Sequence, residues 1–80
     1  MATITVYVFE PNTSTPCSHA WVQVIQPPDV LDEGQTDANG VWTSISLTAN
    51  QWYDVEAEHY RNDADTVWLP SAGTSTNLYA

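Results

Sequence analysis

The segment Thr36-Asp37-Ala38-Asn39-Gly40-Val41-Trp42 limits the fold of this chain more than any other. An Asp ahead of a small polar pair can accept backbone N–H bonds, and the Gly that follows can supply a positive φ. Asp37, Asn39 and Gly40 therefore predict a tight structural turn, of the three- or four-residue hairpin kind with a bulge. Beyond it, Val41, Thr43, Ile45 and Leu47 alternate with Trp42, Ser44 and Ser46, which predicts a strand with Trp42 on the outward side.

The same period of two recurs along the chain. Ile4, Val6 and Val8 alternate with Thr5, Tyr7 and Phe9. Ala20, Val22 and Val24 are expected inward, with Trp21, Gln23 and Ile25 outward. Tyr53, Val55, Ala57 and His59 alternate with Trp52, Asp54, Glu56, Glu58 and Tyr60, which gives one apolar and one wet face. Glu10 to Ser18, with Pro11 and Pro16, reads as a loop. Pro27-Pro28 ends a strand, and Asp29 to Gly34 reads as an acidic connection at the sandwich edge, with Val30 and Leu31 folding back on the core. Gln35 to Asp37 reads as a short strand, Tyr60 to Asp65 as a turn, and Thr66 to Leu69 as a short strand. A loop from Pro70 to Thr74 leads to a last strand through Asn77, Leu78 and Tyr79, whose end is expected to fray. About seven short strands without helical periodicity predict an all-β, two-layer antiparallel Greek-key sandwich, prealbumin-like or immunoglobulin-like, in one domain over residues 1–80.

A chain of 80 residues buries only about 60 to 65% of its unfolded surface, so the core is small and a deep self-contained active site is disfavoured. Ten acidic residues stand against Arg61 and no Lys, for a formal net charge of -9. Phosphate binding requires clustered cations, so nucleic acid is excluded as a partner, and anionic membranes are disfavoured for the same reason. A solvated surface, docking onto a basic partner and tolerance of high salt all fit the acidity. No apolar run is long enough for a membrane span or a signal-peptide core, so synthesis in a cytoplasm is expected. The Asn12-Thr13-Ser14 sequon would need a secretory route, and its use is not expected.

Four Trp, four Tyr and one Phe are rich for this length. Trp21, Trp42, Trp52 and Tyr60 fall on outward parity and are the candidate interface, a patch fit to dock a protein or stack on sugar rings. The pattern leaves Trp21 and Trp68 open between core and patch. A free Cys such as Cys17 is more often buried and inert, but its place in a polar loop, where a thiol is reachable, leaves an intermolecular disulfide as an open reading. His59 beside Glu58 and Arg61 lacks a neighbouring nucleophile, and Cys17 with His19 lacks further zinc ligands, so no catalytic residue, cofactor or metal centre is expected. Asp63 and Asp65 remain a weak calcium candidate.

Taken together, Ala20, Val22 and Val24, then Thr36, Asp37 and Gly40, then Leu47, Tyr53 and Val55 resemble the transthyretin-like or carboxypeptidase-regulatory-like domains and the related collagen-adhesin B-type repeats. The resemblance implies a prealbumin-like Greek-key sandwich serving as a non-enzymatic module on a larger protein, a surface fibre or a virion. Two departures stand out. Without Lys, the isopeptide bond of the adhesin repeats cannot form. The ending Asn77-Leu78-Tyr79-Ala80, with His19, His59 and Arg61 out of pattern, lacks the motif of the hydroxyisourate hydrolase branch. The expected function is structural: a decoration module docking onto a larger assembly or onto copies of itself, in a virion or an extracellular filament. A carbohydrate-binding module with a glycan partner is the alternative.

Overall fold

A computed structural model describes residues 1–80 and contains seven strands and no helix. They are β1 (Ile4–Phe9), β2 (Trp21–Gln26), β3 (Asp29–Gln35), β4 (Val41–Thr43), β5 (Gln51–Glu58), β6 (Asn62–Leu69) and β7 (Thr74–Tyr79). Two sheets form, one ordered β4-β1-β7 and the other β3-β2-β5-β6. The all-β, two-sheet expectation therefore holds. One pairing corrects the antiparallel part of it: β7 runs parallel to β1, from Ile4 opposite Thr74 to Phe9 opposite Tyr79. The connection from β6 carries the chain between sheets, so β7 arrives beside β1 without a hairpin.

The core follows the period-two reading where alternation is cleanest. Ile4, Val6 and Val8 from β1, Val22 and Val24 from β2, and Tyr53, Val55 and Ala57 from β5 are buried, joined by Val67, Leu69 and Leu78. Burying one such aliphatic side chain is worth about 1.5–3 kcal/mol, which offsets the backbone ordering of these short strands. Tyr53 reaches the core's edge, where its hydroxyl donates to the Thr48 carbonyl at 2.6 Å. No buried side-chain N or O lacks a partner.

Several local expectations are corrected. Asp29 to Gly34 is a strand, paired antiparallel with β2 through Trp21–Gln35 to Gln26–Asp29, with a register shift between Val24 and Ile25. Its acids misled the reading because β3 is an edge strand, and edge strands carry charge to discourage further pairing. The turn expected at Tyr60 to Asp65 shrinks to His59-Tyr60-Arg61, since β6 begins at Asn62. Val30 stays exposed while Leu31 packs on the core. The strand expected from Val41 to Leu47 stops at Thr43, and only an isolated bridge joins Leu47 to Ala2. Ala80 is buried, and its N–H donates to the Phe9 carbonyl at 2.9 Å, so the expected fraying is not seen.

The Asp37 turn is also not a hairpin between paired strands. It carries the chain from β3 in one sheet to β4 in the other. Its local chemistry is as expected: Asp37 Oδ1 accepts the N–H groups of Asn39 at 2.8 Å and Val41 at 3.0 Å, and Gly40 has φ 74°. Gly40 is needed for a second reason. A Cβ there would meet the Val8 carbonyl oxygen at 2.7 Å and Pro16 Cβ at 2.9 Å, because the turn is seated on the end of β1.

Carboxylates close the two seams where the sheets meet. On one side Asp32 Oδ2 accepts the Ile45 N–H at 2.8 Å, and the Trp42 indole lies over Gly34. On the other, Asp63 Oδ2 accepts the Tyr79 N–H at 2.8 Å and Asp65 Oδ2 accepts the Thr76 hydroxyl at 2.9 Å. A negatively charged acceptor makes a stronger bond to backbone N–H than a neutral one. Part of the acidity thus substitutes for ladder bonds that the strands at the seams do not make.

Candidate functional site: the outer face of the four-stranded sheet

Inward parity on β2 and β5 puts the alternate residues on the outer face. Cross-strand register then sets them in rows: Gln35, Trp21, Glu58 and Asn62; Glu33, Gln23, Glu56 and Ala64; Ile25, Asp54 and Thr66; and Trp52 with Trp68. Trp21, Trp52 and Trp68 are 41%, 60% and 43% exposed on this face. Glu58, the cross-strand neighbour of Trp21, lies six positions beyond Trp52 along β5. At about 3.3 Å per residue, the two aromatic ends lie ~20 Å apart. Between them Asp54, Glu56 and Glu58 project from alternate positions of β5, about 6.7 Å apart.

Trp52 and Trp68 meet edge to face, with centroids 5.5 Å apart and planes at 67°. That geometry favours the pair electrostatically, but only one of the two rings can lie flat beneath a planar or sugar ligand. A shallow depression of about 190 Å³ lies at the other end, bounded by Trp21, Gln23, Glu56, Glu58, Asn62 and Ala64. The short Ala64 side chain between longer neighbours accounts for the dip. A second depression continues along Asp54, Glu56, Ala64 and Thr66. Two of the surrounding acids already have partners, since Asp54 accepts from the Thr66 hydroxyl at 2.9 Å and Glu33 from the Gln23 amide at 3.0 Å. Glu56 and Glu58 are exposed.

The four expected interface aromatics do not form one patch. Trp21 and Trp52 share the face just described, and Trp68 joins them, the sequence having left Trp21 and Trp68 open between core and patch. Tyr60 is exposed but sits in the β5–β6 turn, its hydroxyl 3.4 Å from Glu10 Oε1 and its ring against His59. Trp42 is a correction. It pairs with fully buried Val6 in register, is half-buried and packs against the core. Parity around it is inverted: Ser44 is buried, its hydroxyl accepting the Ile4 N–H at 2.9 Å, while Ile45 is 58% exposed. The signal was masked because both faces of that segment carry apolar residues, and pairing with β1 chooses between them.

Cys17 is a second correction. Its residue is 2% exposed and belongs to the core, and burial pushes the thiol above its ordinary range, with Glu10 adding to the shift. The polar letters around it concealed a backbone clamp: Cys17 N–H donates to the Val8 carbonyl at 2.9 Å, and its own carbonyl accepts the Thr36 hydroxyl at 2.5 Å. An intermolecular disulfide would require that clamp to open. Asp63 and Asp65, the weak calcium candidate, have both carboxylates engaged at the β6–β7 seam, and no group of three or more His, Cys, Asp or Glu is placed to hold a metal.

No helix is long and apolar enough to cross a membrane. No protein-family model matches the chain, and no curated protein matches it.

Proposed function

We propose that this chain is a non-enzymatic structural module, a prealbumin-like Greek-key or immunoglobulin-like sandwich that docks onto a larger protein assembly by the outer face of its four-stranded sheet. The observation that carries the reading is the exposure of Trp21, Trp52 and Trp68 together on that one face. Interface centres are enriched in Trp, and a small domain exposes three such rings at a cost in solubility unless something covers them. The resemblance to transthyretin-like modules supports a decoration role on a virion or an extracellular filament.

The test is native mass measurement and imaging of the assembly from its source, with Trp52→Ala/Trp68→Ala and Trp21→Ala as variants. These side chains are exposed, so the variants should stay folded by circular dichroism while occupancy on the assembly falls. Full occupancy in all variants would remove the reading, as would a monodisperse monomer in native material. Glycan binding is the second reading, favoured by one exposed Trp plane beside Asp54 and Thr66; glycan-array signal lost in Trp52→Ala would select it.

A further inference from the structure

We infer that the partner covering this face is cationic: a protein segment that lies extended along β5 and presents Lys or Arg at alternate positions. The inference rests on the docking reading above and adds the chemistry of the partner. Asp54, Glu56 and Glu58 stand at period two on one strand, with neutral Gln23 and Ala64 beside Glu56 in its row and Glu33 beyond Gln23. An extended segment has the same repeat of about 6.7 Å, so its alternate side chains match the carboxylates one for one. The two depressions run along this line over Ala64, giving the segment a place to lie.

Trp21 flanks Glu58 across the β2–β5 pair. A guanidinium bonded to Glu58 can therefore also lie over the Trp21 ring, combining a charge-assisted bond with a cation–π contact. Arg61, the only Arg or Lys in the chain, is turned away from this role: its Nε donates to the Tyr79 carbonyl at 2.8 Å. The carboxylates thus have no internal cation to pair with, and a cationic segment is the complement that fits them. Four strands about 4.8 Å apart and six to eight residues long cover ~450 Å² in plan, a little over half of the ~800 Å² of accessible surface that each partner gives to a standard interface, which suits a short segment.

The experiment uses the full chain and a synthetic peptide alternating Arg with Ser, with the citrulline version as the neutral control. Binding is read by intrinsic Trp fluorescence and by amide shifts of β5 and β6. The Arg peptide should bind, and its affinity should fall severalfold between about 50 and about 500 mM salt. Glu56→Gln should weaken it about two- to fivefold and Glu56→Gln/Glu58→Gln by about tenfold. Asp29→Asn, which removes the same charge at the exposed start of β3, should leave it unchanged. Equal binding of the citrulline peptide, no binding of either, or equal losses in Asp29→Asn and Glu56→Gln would overturn the proposal. The two readings separate on the native assembly. If the Trp variants lose occupancy while Glu56→Gln/Glu58→Gln and high salt do not, docking stands and the cationic partner falls. If the Trp variants keep occupancy, docking itself falls.

Discussion

Gly40 and Gly73 both have positive φ, 74° and 87°, yet the structure assigns them different costs on substitution. An L side chain in the left-handed region costs about 1–2 kcal/mol, and Gly40→Ala and Gly73→Ala share that penalty. They differ in what the new Cβ meets. At Gly73 the nearest atom is the Thr3 carbonyl oxygen at 3.2 Å, a contact relieved by a few tenths of an ångström. At Gly40 it meets the Val8 carbonyl oxygen at 2.7 Å and the Cys17 backbone nitrogen at 3.1 Å. Neither can retreat freely: Val8 N–H is bonded to the Gly40 carbonyl at 2.8 Å, and Cys17 N–H to the Val8 carbonyl at 2.9 Å. Forcing a methyl into such a site adds about 1–3 kcal/mol. Gly40→Ala should therefore lose about 2–5 kcal/mol and Gly73→Ala about 1–2. A domain of this length has only ~4–12 kcal/mol of stability in total. Urea unfolding followed by Trp fluorescence measures both. With a slope near 1 kcal/mol/M for so small a protein, the Gly40→Ala midpoint should fall about 1–3 M below that of Gly73→Ala. Asn tolerates the left-handed region, so Gly73→Asn should recover most of the loss while Gly40→Asn should not. Equal losses at the two glycines, or equal recovery by Asn, would refute the reasoning.

Trp42→Ala should cost about 2–3 kcal/mol in urea unfolding, somewhat less than a fully buried Trp, whereas Trp52→Ala should stay within about 1 kcal/mol. Cys17 should resist a thiol reagent in the native protein and react at the rate of unfolding. Its pKa is raised in the folded state, so its contribution to stability is full below the unfolded thiol's pKa and is lost as pH rises through the folded value; the stability difference between the native chain and Cys17→Ala should shrink in alkali. Asp63→Ala should cost about 1–2 kcal/mol and raise the hydrogen-exchange rate of the Tyr79 amide, whose acceptor it removes, and calcium should leave the unfolding midpoint unchanged.

Legibility followed the contrast between neighbouring residues. On β1, β2 and β5 each apolar residue alternates with one that a core would reject or that stands apart in size, and burial of Val6, Val22 and Val55 follows that reading. Of the candidate site, Trp52 was readable as outward because Tyr53 beside it claims the interior, whereas Trp21, although on outward parity beside Val22, stayed open between core and patch. Trp68 was not, since Val67 and Leu69 flank it within a strand whose first half, Asn62 to Asp65, looks like a turn. Asp63 and Asp65 sit at the parity of the core residues Val67 and Leu69, and only proximity to β7 explains why acids stand there. Thr36 and Ser44 were unreadable as structural residues, because a single buried hydroxyl leaves no periodic trace.

By itself, the sequence determined that this protein is all-β, where β1, β2 and β5 run, and that the Asp37-to-Gly40 segment reverses the chain. These are local matters, settled by φ preferences, missing N–H groups and period-two alternation. Only the tertiary structure decided that β7 lies parallel to β1, that the Asp37 turn passes between sheets, and that Trp42 faces inward while Trp68 faces out. Those choices depend on which distant strand supplies the hydrogen bonds, and a short strand with apolar residues on both sides takes its inner face from that partner.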